Sequence, residues 1–550
     1  MMQGVERTGG RGGQRPAGFL RGIPFGVFAL FLLFYFLTNA GWYQVGDERI
    51  MLATARQILR SGQLGFALQE PLKEHEDDVV KGKDGLYYFK YGLGQSLVEL
   101  PFLALHSLVF PRPSRGGMGL LPTNGFLQSE MLTVFLCPSI LSAFGCVLVY
   151  LFARRLNISR KSAVLVSLTY GLATMIWPYA KSLMAETTLN VAVLGGLFAG
   201  VSYKTTARRY WLLVAGACLG FAFITKAVSG LVIPILATYL LVRVRPVKKV
   251  FLETAVLMGL PLAVFAAFQL WHNDLRYGNL WEFGYSFGWD RLGFSTPLAV
   301  GLWGLLLSPG KSFFLYTPVA LLGVVAFKEL FRKNRAEALL FLGVGLVILV
   351  PHACWWAWSG DWAWGPRFLL MIVPYVILPL GYVFDGWGQR RKLYRKLLVG
   401  LVAVSVAVQV IGVTADPFAF LGYRSQWISE LTGDEIYKPL PLMVEAATVN
   451  FNPMFSHISG NVWLIKHTLF SYDLWSDPPW RSLEKLDLTT PKEAYSSRLP
   501  PFWWPAAFPW FDRYSTVWVN AFAAAILLGV IGLGLRLRRL AGRLEEEGRA

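Results

Sequence analysis

Two adjacent carboxylates, Asp47 and Glu48, stand directly after the first long apolar segment of the chain. Residues 48–59 repeat apolar side chains with the spacing of an amphipathic helix. A carboxylate within hydrogen-bond reach of a hydroxyl can act as a general base, and Asp47 is the candidate for that role. The alternative is that Asp47 caps the helix by accepting hydrogen bonds from backbone amides.

Three cations stand at the ends of apolar segments, where they could bind an anion. Lys90 enters the apolar stretch that begins at Tyr91, Lys226 follows an apolar segment, and Arg367 follows a Gly-Pro pair. The planar guanidinium group of Arg367 suits phosphate oxygens. We predict that all three contact an anionic phosphate group. For the two lysines, the alternative is that the ammonium group extends to the lipid headgroups.

Aromatic residues accompany these cations. Tyr88 and Tyr91 flank Lys90, while Trp358 and Trp364 lie in the Trp-rich segment 355–368. We predict that these four residues contact a sugar or a lipid. The alternative is an aromatic belt at the membrane surface, because Trp and Tyr are enriched at that depth.

The elements that must position these residues are membrane-spanning helices. Of 550 residues, 54% are hydrophobic and 16% are charged, which leaves too little polar surface for a soluble globule of this size. The apolar residues form blocks of about 20, the length that crosses a bilayer as a helix. We predict about twelve such helices, near 19–41, 129–153, 162–180, 187–203, 210–225, 229–243, 250–271, 312–328, 337–352, 368–385, 397–415 and 515–535.

Basic clusters alternate between the loops, as expected when short cytoplasmic loops are rich in Lys and Arg. The clusters are Arg7/Arg11/Arg15, Arg154/Arg155/Arg160/Lys161, Lys204/Arg208/Arg209, Arg243/Arg245/Lys248/Lys249, Arg332/Lys333/Arg335, Arg390/Arg391/Lys392/Arg395/Lys396 and Arg536/Arg538/Arg539. This alternation predicts that both termini are cytoplasmic. It requires that residues 91–110 form an interfacial or re-entrant helix, and residues 297–307 are too short to cross. The first apolar segment could alternatively be a cleaved signal peptide.

Three large segments, 42–128, 272–311 and 416–514, then lie outside the cell membrane. We predict a transmembrane catalytic domain at 1–415, an extracytoplasmic cap at 416–514, and a last helix with a basic tail at 515–550. The cap is rich in Pro and Trp.

Several other readings are disfavoured. The net charge of +18 comes without a basic domain or a nucleic-acid motif, so membrane topology explains it better. The acidic run at 70–78 could bind a divalent ion, but the lysines beside it favour a solvated loop, and we expect no metal to be required. The cysteines lack metal-ligand spacing and are predicted to be small core residues: Cys137, Cys146, Cys218 and Cys354.

An acidic pair after the first helix, a short interfacial helix, and a second one introduced by aromatic-Lys-aromatic-Gly together resemble the GT-C superfamily of polyprenyl-phosphate-sugar-dependent glycosyltransferases. The resemblance is to bacterial protein O-mannosyltransferase-like and lipid A aminoarabinose transferase-like enzymes, and it is clearest over 18–203. Those families usually carry prolines after the lysine, whereas this chain reads Gly92-Leu93-Gly94. The resemblance implies that Asp47 is the catalytic base, that Glu48 beside it is also a catalytic candidate, and that Glu186 is a second functional acid. Glu186 could alternatively stabilise the start of its helix.

These observations lead to a hypothesis of function. A sugar would pass from a polyprenyl-phosphate donor to a lipid, glycan or protein acceptor at the extracytoplasmic face of a cell membrane, with no cofactor. One alternative is a transporter or flippase of the same lipid, which would place ionisable residues near mid-membrane. A polysaccharide ligase or polymerase is the other alternative.

Overall fold

Long apolar helices make up most of the computed structural model, which describes residues 22–39, 41, 46–67, 78–110, 125–244, 246–286, 288–360, 363–415, 450–453, 456–469, 502 and 513–546. The α-helices are α1 Ile23–Leu37, α2 Gly46–Ser61, α3 Gly94–Val109, α4 Gly125–Val134, α5 Leu136–Arg155, α6 Arg160–Leu172, α7 Ile176–Tyr179, α8 Ala185–Thr206, α9 Tyr210–Thr225, α10 Val232–Arg243, α11 Val247–Glu253, α12 Gly259–Tyr277, α13 Leu298–Leu307, α14 Phe313–Tyr316, α15 Ala320–Lys333, α16 Arg335–Cys354, α17 Val373–Ile377, α18 Leu380–Asp385, α19 Lys392–Thr414, α20 His457–Leu469 and α21 Arg513–Glu546.

The predicted multi-pass helical architecture is confirmed. Seven helical segments of the described chain are long and apolar enough to cross a membrane: Ser129–Arg155, Ala185–Thr206, Val247–Tyr277, Arg335–Cys354, Arg367–Asp385, Lys392–Thr414 and Asn520–Leu540. Four shorter apolar helices accompany them: Ile23–Leu37, Tyr210–Thr225, Ala227–Arg243 and Leu298–Leu307. The count of about twelve spans stays a prediction.

Some predicted helices are broken. The segment predicted at 162–180 separates into α6 and α7, and the segment at 312–328 separates into α14 and α15. The segment at 368–385 begins as the 3-10 helix Arg367–Ile372 and continues through α17 and α18. Pro374 and Pro379 stand at the starts of the last two pieces, where proline's missing amide and fixed φ favour a new helical start.

The two ends of the helical bundle differ in chemistry. The central helix α8 has Glu186 in its first turn and Lys204 in its last, and nearly all of its side chains are buried. At the Lys204 end, Lys204 Nζ lies 2.6 Å from Glu337 Oε1, and Arg209 Nε lies 2.8 Å from Glu253 Oε1. The predicted basic cluster Lys204/Arg208/Arg209 therefore follows one end of α8, and Glu186 with its cation neighbours Lys226 and Arg367 lies at the other.

Two short elements differ from the all-helical expectation for the first outer segment. Strands β1 Val79–Lys81 and β2 Tyr87–Phe89 pair antiparallel, with Val80 opposite Tyr88. The hairpin leads into α3, a 16-residue helix that contains Pro101 and is too short to be a candidate span. Its length agrees with the interfacial helix predicted at 91–110.

Close backbone approach fixes α3 against the bundle. A Cβ atom on Gly92 would lie 2.4 Å from the Ile224 carbonyl oxygen, and one on Gly94 would lie 1.9 Å from Thr225 Oγ1. The start of α3 meets the end of α9 so closely that only glycine fits at both positions. The residues just before α3 and just after α9, Tyr91 and Lys226, are thereby held in one region.

Most of the predicted cap at 416–514 lies outside the described residues. Its described parts include α20, which packs on α19, and Asn450, whose carbonyl oxygen accepts a hydrogen bond of 2.9 Å from the Gly310 amide.

The basic residues before α1 also lie outside the described ranges. Helix α1 packs within the bundle, and Tyr35 donates a 2.9 Å hydrogen bond to the Gly171 carbonyl oxygen.

Candidate functional site

Asp47 lies in the first turn of α2, and both of its carboxylate oxygens are engaged. Asp47 Oδ2 lies 3.0 Å from Arg367 Nη1, and Asp47 Oδ1 accepts a 2.9 Å hydrogen bond from the Tyr91 hydroxyl. These partners come from other elements, so the carboxylate makes tertiary contacts as well as standing at a helix start. The Asp47 side chain is 31% exposed, which leaves it accessible.

Glu186 is the second acid of the site and is shared by two cations. Lys226 Nζ lies 3.1 Å from Glu186 Oε1, and Arg367 Nε lies 4.0 Å from the same oxygen. Arg367 thus stands between two carboxylates, and its planar group can reach both. We call Asp47, Glu186, Lys226 and Arg367 the Asp47 cluster; its two acids and two cations balance in charge.

Aromatic rings support the cations of this cluster. Lys226 Nζ lies 4.4 Å from the centroid of the Phe368 ring, and the Arg367 guanidinium carbon lies 5.1 Å from the same centroid. The His352 ring stacks on Phe368 with centroids 4.7 Å apart. Cation–π attraction supplements the ion pairs here, because the face of an aromatic ring carries a partial negative charge.

Lys90 lies in a second group of charges. Its Nζ atom lies 2.7 Å from Asp78 Oδ1 and 2.6 Å from Asp290 Oδ2. Burial opposes the charge of the ammonium group, but the two carboxylates outweigh it, so the pKa of Lys90 is raised above its usual value. Trp356 donates its ring N–H to Asp290 Oδ1 at 3.0 Å. We call Lys90, Asp78 and Asp290 the Lys90 cluster; it carries one excess negative charge.

Tyr91 lies between the two clusters. Its hydroxyl group binds Asp47, and its ring centroid lies 5.7 Å from Lys90 Nζ. Burial raises the pKa of Tyr91 well above its usual value, and the neighbouring charges of Asp47 and Asp78 raise it further. Tyr91 therefore keeps its proton and acts as a hydrogen-bond donor to Asp47.

Glu48 faces away from Asp47 into a buried polar layer. It is fully buried, and Ser182 donates a 2.5 Å hydrogen bond to Glu48 Oε1. Nearby, Gln95 donates a 2.8 Å bond to Glu99 Oε1, while the other carboxyl oxygen of Glu99 is buried with no hydrogen-bond partner among the described residues. Burial, aided by the charge of Glu48, raises the pKa of Glu99 to about 8.

The structure places Tyr88 away from the Asp47 cluster. Strand alternation turns its side chain to the other face from Tyr87 and Phe89, where its hydroxyl donates to Asp84 Oδ2 at 2.5 Å. Its ring packs edge-on against His272, with centroids 6.2 Å apart. These contacts indicate a packing role rather than the sugar contact predicted from sequence.

The two predicted sugar-contacting tryptophans are also packed in the interior. Trp358 is 3% exposed and lies against Phe451, and Trp364 is 8% exposed and lies edge-on to Tyr316 with centroids 4.9 Å apart. Within the described ranges, no group of three or more His, Cys, Asp or Glu side chains could hold a metal ion.

Sequence reasoning brought together Asp47, Glu186, Arg367 and Lys226, which the structure places in one cluster. It did not find the carboxylates that hold Lys90, although Asp78 lies in the acidic run that it described as solvated. Asp78 lies across the β1–β2 hairpin from Lys90, where the Lys90 amide donates to the Asp78 carbonyl oxygen at 2.9 Å. Asp290 is 200 positions from Lys90 and reaches it only because two distant segments pack together. Sequence reasoning also missed Arg276, whose only signal is a charge at the end of an apolar segment.

Residues 126–271, about a quarter of the chain, match the family described as dolichyl-phosphate-mannose-protein mannosyltransferase. The match confirms the predicted resemblance. The matched range includes Glu186 and Lys226 and ends before Arg276. A comparison with curated protein sequences found no match.

Among solved structures, the chain is similar to ArnT from Cupriavidus metallidurans bound to undecaprenyl phosphate, with 17% identity and a TM-score of 0.46, covering 80% of this chain and 76% of that one. It is also similar to the apo state of the same protein, at 16% identity, a TM-score of 0.43 and the same coverage. The archaeal oligosaccharyltransferase AglB from Archaeoglobus fulgidus, in complex with an inhibitory peptide and a dolichol-phosphate, shows 12% identity and a TM-score of 0.41, covering 85% of this chain and 61% of that one.

Proposed function

We propose that this chain is a membrane glycosyltransferase that moves a sugar from a polyprenyl-phosphate donor to an acceptor hydroxyl or similar group at the extracytoplasmic face, with Asp47 as the general base. The observation that carries the proposal is the accessible Asp47 carboxylate held against Arg367, with Lys226 beside it, at the end of the bundle opposite the basic clusters. The family match over 126–271 supports the donor class.

The charges fit a reaction in which phosphate leaves. A polyprenyl-phosphate sugar carries one negative charge, and the released polyprenyl phosphate gains a second as the bond to the sugar breaks. Fixed cations stabilise this growing charge more in the transition state than in the bound donor. Arg367 and Lys226 are the cations nearest to Asp47, and Lys90 lies beyond the Tyr91 ring.

Asp47 would act at the other end of the reaction. The acceptor oxygen attacks the anomeric carbon, the bond from that carbon to the phosphate oxygen breaks, and its electron pair stays on phosphate. Asp47 takes the acceptor proton as the new bond forms, so the hydroxyl need not ionise beforehand. Attack from the face opposite phosphate gives inversion at the anomeric carbon.

The contacts of Asp47 with Arg367 and Tyr91 suggest a mechanism by which donor binding frees the base. Arg367 contacts one oxygen of Asp47 and the Tyr91 hydroxyl donates to the other, so both oxygens are engaged before the donor binds. A donor phosphate offers Arg367 an alternative partner, and a guanidinium that turns toward it leaves one Asp47 oxygen free. Donor binding would therefore precede acceptor activation.

Release of lipid phosphate tests the proposal. Purified wild-type protein, offered a polyprenyl-phosphate sugar with envelope acceptor, should release polyprenyl phosphate, and Asp47→Asn should lose roughly 100- to 10,000-fold in rate, the range for removal of a general base. Asp385→Asn makes the same chemical change at an exposed position among the basic clusters and should behave as wild type.

Equal release by Asp47→Asn and wild type would remove Asp47 as the base. Movement of the intact lipid across vesicles without phosphate release would instead identify a flippase. Mass spectrometry of envelope glycans and glycoproteins from a strain lacking the chain would identify the sugar and the acceptor.

A further inference from the structure

Arg276 is a buried charged residue in the last turn of α12, outside both charge clusters. It is only 1% exposed and is among the largest fully buried side chains. Its Nη1 atom donates to three consecutive backbone carbonyl oxygens, those of Phe89 at 3.0 Å, Lys90 at 3.0 Å and Tyr91 at 2.9 Å. Its Nη2 atom donates to Asn273 Oδ1 at 3.2 Å.

Such a placement is costly unless hydrogen bonds replace the lost water. No ion pair in the described part of the chain includes Arg276, so carbonyl and amide oxygens take the place of a carboxylate partner. Three carbonyl oxygens converge on one nitrogen only where the backbone curves around it. Arg276 therefore fixes the curvature of the segment that it binds.

That segment carries both side chains that connect the two clusters. Arg276 holds the carbonyl oxygens of this segment. From the segment, the Lys90 side chain reaches Asp78 and Asp290, and the Tyr91 hydroxyl reaches Asp47. Tyr277, next to Arg276, also donates to the Lys90 carbonyl oxygen at 3.2 Å. The end of α12 thus sets the position of residues 89–91 relative to the base.

We propose that Arg276 is a positioning residue that acts on the reaction through the Lys90-Tyr91 backbone and so holds the Tyr91 hydroxyl against Asp47. This inference rests on the proposed function for its effect on rate. It does not make Arg276 a ligand of the donor, because its side chain is buried and its Nη atoms are taken by the protein.

A double-mutant cycle tests the effect on rate. Arg276→Gln should lower kcat by roughly 10- to 100-fold, the scale for a displacement of about 1 Å in a catalytic site. Arg276→Lys keeps the charge without the planar fork and should recover part of the rate. In a Tyr91→Phe background, Arg276→Gln should cost no more than about 3-fold, because coupled residues are non-additive. Arg332→Gln, an exposed arginine 4.0 Å from Glu329, is the matched control and should leave the rate unchanged.

Hydrogen exchange of the full-length protein in detergent tests the positioning directly and does not need turnover. In Arg276→Gln, exchange should rise at residues 86–96 and stay at the wild-type level in α8 and α9. Unchanged exchange at 86–96, or loss of protection throughout α8 and α9, would overturn the proposal. The proposal would also be overturned if the effects of Arg276→Gln and Tyr91→Phe were additive and Arg276→Gln changed only the donor KM. That pattern would identify direct binding of the donor by Arg276. If wild type shows no turnover, the proposed function fails, while the exchange result still decides the role of Arg276.

Discussion

The excess negative charge of the Lys90 cluster predicts that removing one carboxylate improves donor binding. Lys90 Nζ is held at 2.7 Å by Asp78 and at 2.6 Å by Asp290, so a phosphate that binds this ammonium group meets two nearby carboxylates. Asp290→Asn keeps an oxygen that can accept the Trp356 hydrogen bond and removes one negative charge. The substitution should therefore lower the donor KM rather than raise it.

The size of the effect follows from the geometry. A phosphate oxygen about 2.8 Å from Lys90 Nζ, on the side away from Asp290, would lie about 5.4 Å from that carboxylate. Their repulsion is about 0.8 kcal/mol at the dielectric constant of water and about 3 kcal/mol at an effective value of about 20. Because the Lys90 side chain is 17% exposed, we expect an intermediate value. About 1–2 kcal/mol corresponds to a donor KM lowered roughly 5- to 30-fold.

The assay is the donor KM of purified protein, measured from lipid phosphate release at low salt and at about 1 M salt, where the Debye length is about 3 Å. The gain should shrink at high salt. Asp274→Asn is the matched control, since Asp274 pairs with Lys83 at 2.6 Å but is 40% exposed and forms no ion pair with Lys90. A donor KM that rises in Asp290→Asn, or falls equally in the control, would refute the placement of donor phosphate at Lys90.

Two further predictions concern the elements behind the site. Gly92→Ala should lower activity and destabilise the protein by about 1–3 kcal/mol through overpacking, because its Cβ atom would lie 2.4 Å from the Ile224 carbonyl oxygen. Gly345→Ala, with nothing within 4 Å, is the control for thermal stability, and equal Tm shifts would contradict the reasoning. The second prediction is that Glu99→Gln flattens the pH dependence of Tm. Burial raises the pKa of Glu99 from 4.5 in the unfolded chain to about 8, so the folded protein keeps a proton that the unfolded chain loses. Stability should therefore fall as pH rises from about 4.5 to about 8, by up to about 1.4 kcal/mol per pH unit, and a slope that is unchanged in Glu99→Gln would contradict this assignment.

The sequence alone determined the membrane class and predicted which end of the bundle carries the candidate acids and cations. Apolar blocks of spanning length can be read directly from the sequence, because each helix satisfies its own backbone hydrogen bonds. The alternation of basic loops can be read in the same way, because it depends only on where Lys and Arg fall between those blocks. Asp47 and Arg367 could also be selected from the sequence, because each residue stands beside an apolar block. Their pairing at 3.0 Å agrees with that placement.

Tertiary structure decided which charges are paired and which aromatics are accessible. Asp290 reaches Lys90, and Arg276 at the end of α12 reaches the backbone of residues 89–91, only because segments far apart in the chain pack together. Trp358 and Trp364 are packed inside, although their sequence context is equally typical of an exposed belt. Side-chain pairing over such separations depends on how helices pack, and helix packing leaves no local pattern in the chain.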